Sequence, residues 1–389
     1  MNRFDTVVFM DYAPLTEKIY NDFYFKDIIA KGINVQYWDV SFVINHHSAL
    51  TPYHGEESTI TITSKRHFNE EVKKHKGRTL YVPIMTYNGL VLSLFLIMSF
   101  HRCKIAVFGI NTIPAPTFSS KRVLSESKIT ASLLKRVILN RLSVIFKKIG
   151  LIRNIDYIFT SGTKGLNGFG RTTAKELQKA EIININSVDY DKCLNMTEDE
   201  ESPVEGDYIV FLDEYIPFHP DVVIAGLKVI DSDYYYFYLN RFFDLVEKQL
   251  GIPVVIAAHP KAEKYKEHNY FNGRKVLFYK TTLLCKNAKL VLAHDSTSIN
   301  NAVFYNKPIL LMLYRKMQQE NMFTYNSTMA FAEALHAQTV YVDEEDTVVN
   351  VPEVDPHSYN EYRYRYMTSP ETLNVDSQTV FIHFLCTNE

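Results

Sequence analysis

The stretch from Pro253 to Met312 reads PVVIAAHPKAEKYKEHNYFNGRKVLFYKTTLLCKNAKLVLAHDSTSINNAVFYNKPILLM, and it decides the fold. It contains three short runs rich in Val, Ile and Leu, at Pro253–Ala258, Lys289–Ala293 and Pro308–Met312. Each run is too short for a helix and is continuously apolar, which is the pattern of a buried parallel strand. The stretch therefore predicts the centre of an open α/β sheet.

Polar residues follow the first two runs at the points where the strands are predicted to end. The two sets are His259, Pro260 and Lys261 after the first run, and His294, Asp295, Ser296, Thr297 and Ser298 after the second. Ligands of open α/β sheets bind at the carboxyl ends of the strands. The second set also begins a predicted helix, Ile299–Tyr305, whose free N–H groups would suit a phosphate. Ser296, Thr297 and Ser298 each carry a hydroxyl that could bind the same phosphate. An ordinary helix N-cap would explain one of these three hydroxyls equally well.

Strands and helices alternate on both sides of this stretch. We predict a first domain over residues 1–190 and a second over 207–350, separated by the acidic, weakly patterned segment Asp189–Gly206. Residues 351–389 lose the alternation and predict two terminal helices. Alternating strands and helices indicate parallel sheets, so the predicted fold class is α/β with two Rossmann-like domains.

Acidic residues end two further predicted strands. Asp213 and Glu214 follow Tyr208–Leu212, and Asp11 follows Thr6–Met10. A carboxylate whose pKa is raised by burial is suited to act as a general base, and all three residues remain candidates for that role. His259 titrates near neutral pH and is therefore a candidate to hydrogen-bond a leaving phosphate or to give it a proton.

A second His-Pro pair lies in the loop that follows the acidic pair. The sequence PFHPD places His219 and Asp221 there, where they are candidates to shape an acceptor site.

The acidic pair, the His-Pro pair and the hydroxyl-rich helix start occur in a fixed order before a strand that begins with Lys-Pro. This ordered set, spanning residues 208–312, resembles bacterial GT-B glycosyltransferases that use CMP-activated acidic sugars. These are the sialyltransferases, polysialyltransferases and Kdo transferases of capsule and lipopolysaccharide synthesis. Tyr215 stands where the family has glycine after its acidic pair.

The resemblance implies a GT-B architecture, with two domains facing a cleft and C-terminal helices crossing back to the first domain. It implies a CMP-sugar donor bound mainly by the second domain and an oligosaccharide or glycolipid acceptor bound mainly by the first. The implied donor contacts are His259, Pro260, Lys261, His294, Asp295, Ser296, Thr297 and Ser298. No metal or other cofactor is implied, and Asp231-Ser-Asp233 is predicted to cap a helix.

Composition narrows the class of protein further. A formal net charge of −2 gives no argument for nucleic acid as a partner. The four cysteines are scattered without a CxxC pair, which argues against zinc and disulfides and predicts a reducing compartment.

The N-terminus begins a strand, and the longest apolar run, Gly89–Phe100, is too short to span a bilayer. We therefore expect a cytoplasmic protein.

A long basic helix is predicted over Thr130–Gly150. Its apolar positions are Leu133, Leu134, Val137, Ile138, Leu142, Ile145 and Phe146, and its basic positions are Lys135, Arg136, Arg141, Lys147 and Lys148. The helix either packs its apolar face on the sheet and leaves the basic face in water, or contacts an anionic membrane or lipid-linked acceptor. A peripheral position on the cytoplasmic face of the membrane follows from the second alternative.

Other activities share the predicted fold and phosphate site. They are CDP-alcohol phosphotransfer of the teichoic-acid type, nucleotide-sugar epimerisation, and non-catalytic glycan assembly on a decayed scaffold. The His259–Pro260 pair and the hydroxyl-rich helix start are both intact, which argues against a scaffold that has lost its catalytic residues.

Overall fold

The computed structural model describes residues 2–44, 52–55, 57–75, 77–115, 131–170, 173–197, 200–219, 229–320, 322–345 and 347–387. These residues form two compact units. The first unit takes the described residues within Met1–Thr112, Ser119–Val188 and Thr368–Glu389, and the second takes those within Ile113–Phe118 and Asp189–Met367.

The described part of the first unit contains a seven-stranded parallel sheet with the strand order β3-β2-β1-β4-β5-β6-β7. Its strands are β1 (Thr6–Asp11), β2 (Asn34–Asp39), β3 (Ser58–Thr61), β4 (Thr79–Pro83), β5 (Lys104–Gly109), β6 (Tyr157–Ser161) and β7 (Glu181–Ile185). Side chains alternate along β1: Val7 and Phe9 enter one apolar core, and Val8 and Met10 enter another. Two buried faces explain why this strand is continuously apolar.

Helices cover both faces of this sheet. They are α1 (Glu17–Asp22), α2 (Phe25–Ala30), α3 (Ser41–Ile44), α4 (Lys65–Lys74), α5 (Leu92–Phe100), α6 (Ala131–Lys148) and α7 (Ala174–Lys179). The stretch Leu15–Ala30 has a helical pattern but forms two helices, α1 and α2, because Tyr24 adopts a left-handed conformation at φ +59°. Its aromatic neighbours Phe23 and Phe25 are both buried, so packing outweighs the strain of that conformation.

The Gly-rich loop after β6 packs directly against the end of β5. Residues Thr163–Asn167 form a 3₁₀ turn that lies on Gly109. A Cβ atom on Gly109 would lie 1.9 Å from the carbonyl oxygen of Gly165, so the two backbones meet without room for a side chain. These glycines serve a close backbone contact.

The described part of the second unit contains a six-stranded parallel sheet with the order β10-β9-β8-β11-β12-β13. Its strands are β8 (Ile209–Leu212), β9 (Val254–Ala258), β10 (Val276–Phe278), β11 (Leu290–Ala293), β12 (Ile309–Leu313) and β13 (Gln338–Tyr341). The three apolar runs of the opening stretch are β9, β11 and β12. The two sheets confirm the prediction of two Rossmann-like α/β domains.

The helices of this unit include α8 (Val188–Leu194), α9 (Ser232–Leu250), α10 (Lys264–Glu267), α11 (Thr281–Asn287), α12 (Ile299–Phe304), α13 (Arg315–Glu320), α14 (Met322–Leu335) and α15 (Pro356–Tyr362). Asp231 caps α9 by accepting the N–H of Tyr234 at 2.9 Å, as predicted, and Gly251 ends that helix at φ +71°. The segment predicted as a linker, Asp189–Gly206, instead begins inside α8, because Tyr190 and Cys193 are buried there.

The C-terminal residues 351–389 divide between the two units, whereas we predicted that all of them would pack on the first. Helix α15 belongs to the second unit, where the Tyr359 hydroxyl donates to the carbonyl of Lys307 at 2.9 Å. The final helix, α16 (Ser377–Cys386), returns to the first unit and buries Phe381, Phe384 and Leu385 in its core. The predicted return is therefore made by the last helix.

No helix in the described ranges is both long enough and apolar enough to cross a bilayer.

Candidate active site of the second unit

Three adjacent strands bring His259, Glu214 and Asp295 into one row at the carboxyl edge of the sheet. Strand β8 lies between β9 and β11, and Leu212 pairs in register with Ala257 on one side and Ala293 on the other. Extending both registers by two residues places Glu214 between His259 and Asp295. The chain therefore assembles one imidazole and two carboxyls at the edge where open α/β sheets bind ligands.

Asp213 turns away from this row into a buried hydrogen-bonded position. The Tyr265 hydroxyl donates to its Oδ1 at 3.0 Å, and the His259 N–H donates to its Oδ2 at 3.3 Å. Burial raises the pKa of Asp213 to about 6, although these hydrogen bonds oppose that rise. Because both oxygens are engaged, Asp213 holds the loop that carries His259.

The His259 ring is oriented by its own loop. Its Nδ1 lies 3.1 Å from the N–H of Lys261 and accepts a hydrogen bond from it. A neutral imidazole whose Nδ1 accepts must carry its proton on Nε2. The ring of His219 packs edge-on against that of His259, with centroids 4.9 Å apart and planes at 68°. The neutral form of the His259 ring therefore carries its proton on Nε2.

Glu214 and Asp295 form a carboxyl pair. Burial raises the pKa of Glu214 well above its usual range, and the neighbouring charge and hydrogen bond of Asp295 raise it further. Within the described residues, Oε1 of Glu214 is buried without a hydrogen-bond partner. Burial also raises the pKa of Asp295, against the opposing hydrogen bonds of Glu214 and of Ser327 from α14. Two close carboxyls of this kind titrate as a pair and share one proton between them.

The start of α12 does not provide the free N–H groups that we predicted for phosphate binding. The N–H groups of Ile299, Asn300 and Asn301 donate to the carbonyls three residues earlier, at 3.2, 3.1 and 3.0 Å. The Ser298 N–H donates to Oγ of Ser296 at 3.2 Å, and the Ser298 side chain makes no capping hydrogen bond. A tight turn thus consumes these donors, which leaves the hydroxyls as the phosphate-binding groups to consider.

The three hydroxyl residues differ in their exposure. Thr297 is exposed, and Ser296 and Ser298 are half-buried. All three lie just after β11, beside the carboxyl pair, so their placement stays compatible with the prediction that they surround a phosphate.

His294 is part of the core, and its prediction as a donor contact is wrong. Its side chain is fully buried; Nδ1 donates to the Met312 carbonyl at 2.7 Å, and Nε2 lies 3.2 Å from the Tyr235 hydroxyl and accepts from it. Burial lowers the pKa of His294 to about 4, so the ring is neutral. It braces β11 against β12 and α9 and has no free nitrogen for a ligand.

Other predicted residues fall in different places. Pro260 and Lys261 are exposed on the loop after β9. Asp11 ends β1 in the first unit, where it is the register partner of Asp39 and its Oδ1 accepts the Tyr12 N–H at 2.7 Å. Asp221 lies outside the described residues.

Two side chains of this site were not predicted from the sequence, namely Tyr265 and Ser327. Both act through buried hydrogen bonds to a carboxylate, and neither lies at a strand end, where a sequence signal would have pointed to it. Among the described residues there is no cluster of three or more His, Cys, Asp and Glu side chains that could hold a metal ion.

No protein-family model matches this chain, and no curated protein sequence is similar to it. Several solved structures have a similar fold. A UDP-GlcNAc 2-epimerase from Methanocaldococcus jannaschii is 13% identical, with a TM-score of 0.42 over 92% of this chain and 98% of that chain. The calicheamicin glycosyltransferase CalG4 is 11% identical, with a TM-score of 0.45 over 97% and 92% of the two chains.

A variant of the wall teichoic acid polymerase TagF is 11% identical, with a TM-score of 0.48 over 98% of this chain and 84% of that chain. These likenesses concern the fold.

Proposed function

We propose that this protein is a metal-independent glycosyltransferase that moves an acidic sugar from a CMP-sugar to a surface glycan. The observation that supports the proposal is the strand register of the second sheet, because it brings the ends of β9, β8 and β11, and with them His259, Glu214 and Asp295, to one edge of the sheet. The acceptor is an oligosaccharide or glycolipid of capsule or lipopolysaccharide synthesis at the cytoplasmic face of the membrane.

In this scheme the carboxyl pair takes a proton from the acceptor, and His259 stabilises the charge of the leaving group. The acceptor hydroxyl attacks the anomeric carbon, a new glycosidic bond forms, and the bond from that carbon to the CMP phosphate oxygen breaks. The Glu214–Asp295 pair holds one proton and one negative charge, so it can take the acceptor's proton. His259 donates a hydrogen bond from Nε2 to the departing phosphate, whose charge it stabilises.

Asp213 does not serve as the base in this scheme, because Tyr265 and the His259 N–H occupy its oxygens. Asp11 remains the competing candidate for the base. Glu214→Gln and Asp11→Asn, assayed side by side, distinguish the two carboxylates, because only the base should give a large loss of turnover with donor binding retained.

The donor phosphate is assigned to the hydroxyls of Ser296 and Thr297, which follow β11 beside the carboxyl pair. Replacing both with Ala should weaken CMP binding, since neither hydroxyl lies in an apolar core. Ser232→Ala with Thr281→Ala is the matched control, because these two residues also begin helices of the second unit.

The experiment that tests the function is a thermal-shift screen of CMP, UMP, CDP, UDP and GDP, followed by product analysis with the matching donors. A nucleotide that binds only the folded protein must raise its melting temperature. We expect CMP to stabilise the protein more than UMP does, and transfer from a CMP-sugar. Transfer from CDP-glycerol, or epimerisation of a UDP-sugar, would replace this proposal with the corresponding activity of the same fold.

A further inference from the structure

Helix α6 presents an apolar line to solvent, so not all of its apolar positions pack on the sheet as the first of the two alternatives required. Ile138 and Ile145 are 49% and 48% exposed. They are seven residues apart and therefore lie on one line along the helix. The chain turns at Gly150, which has φ +78°, and leaves Ile149 and Leu151 63% and 52% exposed. Four large apolar side chains of this helix and the turn after it are thus about half exposed or more.

Basic residues border this apolar line. Arg141 and Lys148 are exposed and are also seven residues apart, so they form a second line beside the isoleucines. Lys135 is exposed one turn before Ile138. The helix contains no acidic residue. The outward face therefore combines apolar area with positive charge and carries no negative charge to offset it.

The inward face of α6 is held by polar contacts, which fix its rotation. The side chains of Lys147 and Glu176 form a buried ion pair, with Nζ and Oε2 2.9 Å apart. The Tyr87 hydroxyl donates to the Ser143 carbonyl at 2.9 Å, and Oδ1 of Asn140 accepts the Gly89 N–H at 2.9 Å. Since these anchors are specific, the helix cannot rotate to bury its isoleucines. The exposure of the apolar line is built into the fold.

From this arrangement we infer that the outward face of α6, defined as Lys135, Ile138, Arg141, Ile145, Lys148, Ile149 and Leu151, binds the surface of an anionic lipid bilayer. A helix lies in the plane of a membrane surface when its apolar side chains enter the headgroup boundary and its basic ones meet anionic lipids. The positive charge around the isoleucines favours an anionic bilayer over a protein partner with a neutral apolar surface. This binding does not depend on the sugar donor.

The test is co-sedimentation of the full chain with vesicles of phosphatidylcholine alone and with vesicles containing phosphatidylglycerol. We expect binding to the anionic vesicles only, weakened at high salt because the attraction is partly electrostatic. Ile138→Asn with Ile145→Asn, and separately Arg141→Gln with Lys148→Gln, should each weaken partitioning roughly tenfold or more. Lys73→Gln with Lys179→Gln is the matched control, because it removes two exposed charges elsewhere on the first unit.

Melting temperatures and CMP binding are measured on every variant. Because CMP binding belongs to the second unit, its retention separates a failure of this inference from a failure of the proposed function. Wild-type protein that stays in the supernatant with anionic vesicles would overturn the inference, as would Ile138→Asn with Ile145→Asn variants that bind like wild type. A dimer in solution that these same substitutions dissociate would assign the face to a second copy of the chain instead.

Discussion

The hydroxyl of Tyr265 donates to Oδ1 of Asp213 at 3.0 Å, in a position where both side chains are buried. The same carboxyl accepts the N–H of His259. A tyrosine from α10 therefore holds, through one aspartate, the loop that carries the imidazole of the candidate site. Asp213 is a positioning residue, and its buried charge has consequences for stability that can be measured.

Asp213→Asn should make the protein more stable at pH 8 than the wild type. The folded pKa is raised from 3.8 to about 6, so ionisation above pH 6 costs folding free energy, and the cost disappears below pH 4, where both states are protonated. Two pKa units correspond to on the order of 3 kcal/mol, and the lost hydrogen bond reduces that gain. Urea unfolding of both proteins between pH 4 and pH 8 measures the difference. A gap that does not grow with pH would contradict the assignment.

His259→Ala should lower turnover roughly 10²–10⁴-fold and lower CMP affinity much less, because the ring acts mainly on the charge that the phosphate develops as it departs. Single-turnover kinetics and CMP titration measure the two effects separately. His357→Ala, an exposed histidine on α15, is the control and should behave like wild type. A variant that lacks His259 and keeps full turnover would remove this residue from the mechanism.

Asp295→Asn should move the acid limb of the pH–rate profile to lower pH. The negative charge and hydrogen bond of Asp295 help to raise the pKa of Glu214, so removing them lets Glu214 ionise at lower pH. The profile of kcat/KM against pH measures this shift. Asp233→Asn, an exposed carboxylate in the first turn of α9, is the matched control. An unchanged acid limb would show that Glu214 does not control it.

Activity should survive EDTA. No group of three or more His, Cys, Asp and Glu side chains in the described residues could hold a metal ion, and two carboxyls alone rarely retain a divalent ion. The assay compares turnover before and after chelation, with a magnesium-dependent transferase treated in parallel. Loss of activity that Mg²⁺ or Mn²⁺ restores would overturn the metal-independent mechanism.

Lys147→Met should destabilise the protein by about 3–5 kcal/mol, because it leaves the buried carboxylate of Glu176 without its partner. Combining it with Glu176→Gln should recover most of that loss. Arg66→Ala breaks an exposed ion pair with Glu70 and should cost at most about 1 kcal/mol. Guanidinium unfolding of these proteins and of the single variant Glu176→Gln completes the comparison, and additive losses in the double variant would rule out coupling between the two side chains.

Most strands of the two sheets were predictable because continuous apolar runs are an unambiguous signal when both faces of a sheet are covered. Because these strands are apolar at every position, their sequences do not show in which direction the side chains at the strand ends point. His259 and His294 both follow apolar strands, yet one lies at the carboxyl edge and the other is locked in the core. A strand buried on both faces has no polar alternation, so its sequence cannot show which way the next residue points.

Helix α6 shows a second limit of this kind. Its composition predicted an apolar inner face and a basic outer one, but Lys147 is buried and Ile145 is exposed. The ion pair with Glu176 decides the rotation, and the two residues lie far apart in the sequence. Strand β10 was missed because it has only three residues. At the start of α12, the N–H groups donate within a tight turn, and the spacing of residues in the sequence does not reveal that turn.

The return of α16 to the first unit bears on how the chain folds as it is synthesised. Phe381, Phe384 and Leu385 complete the core around β1, yet they leave the ribosome after all the residues of the second unit. The first unit therefore starts to form earliest and finishes last, whereas domains generally complete in order from the N-terminus. Until synthesis ends, an apolar surface near Phe4 and Tyr157 stays open to water and to chaperones.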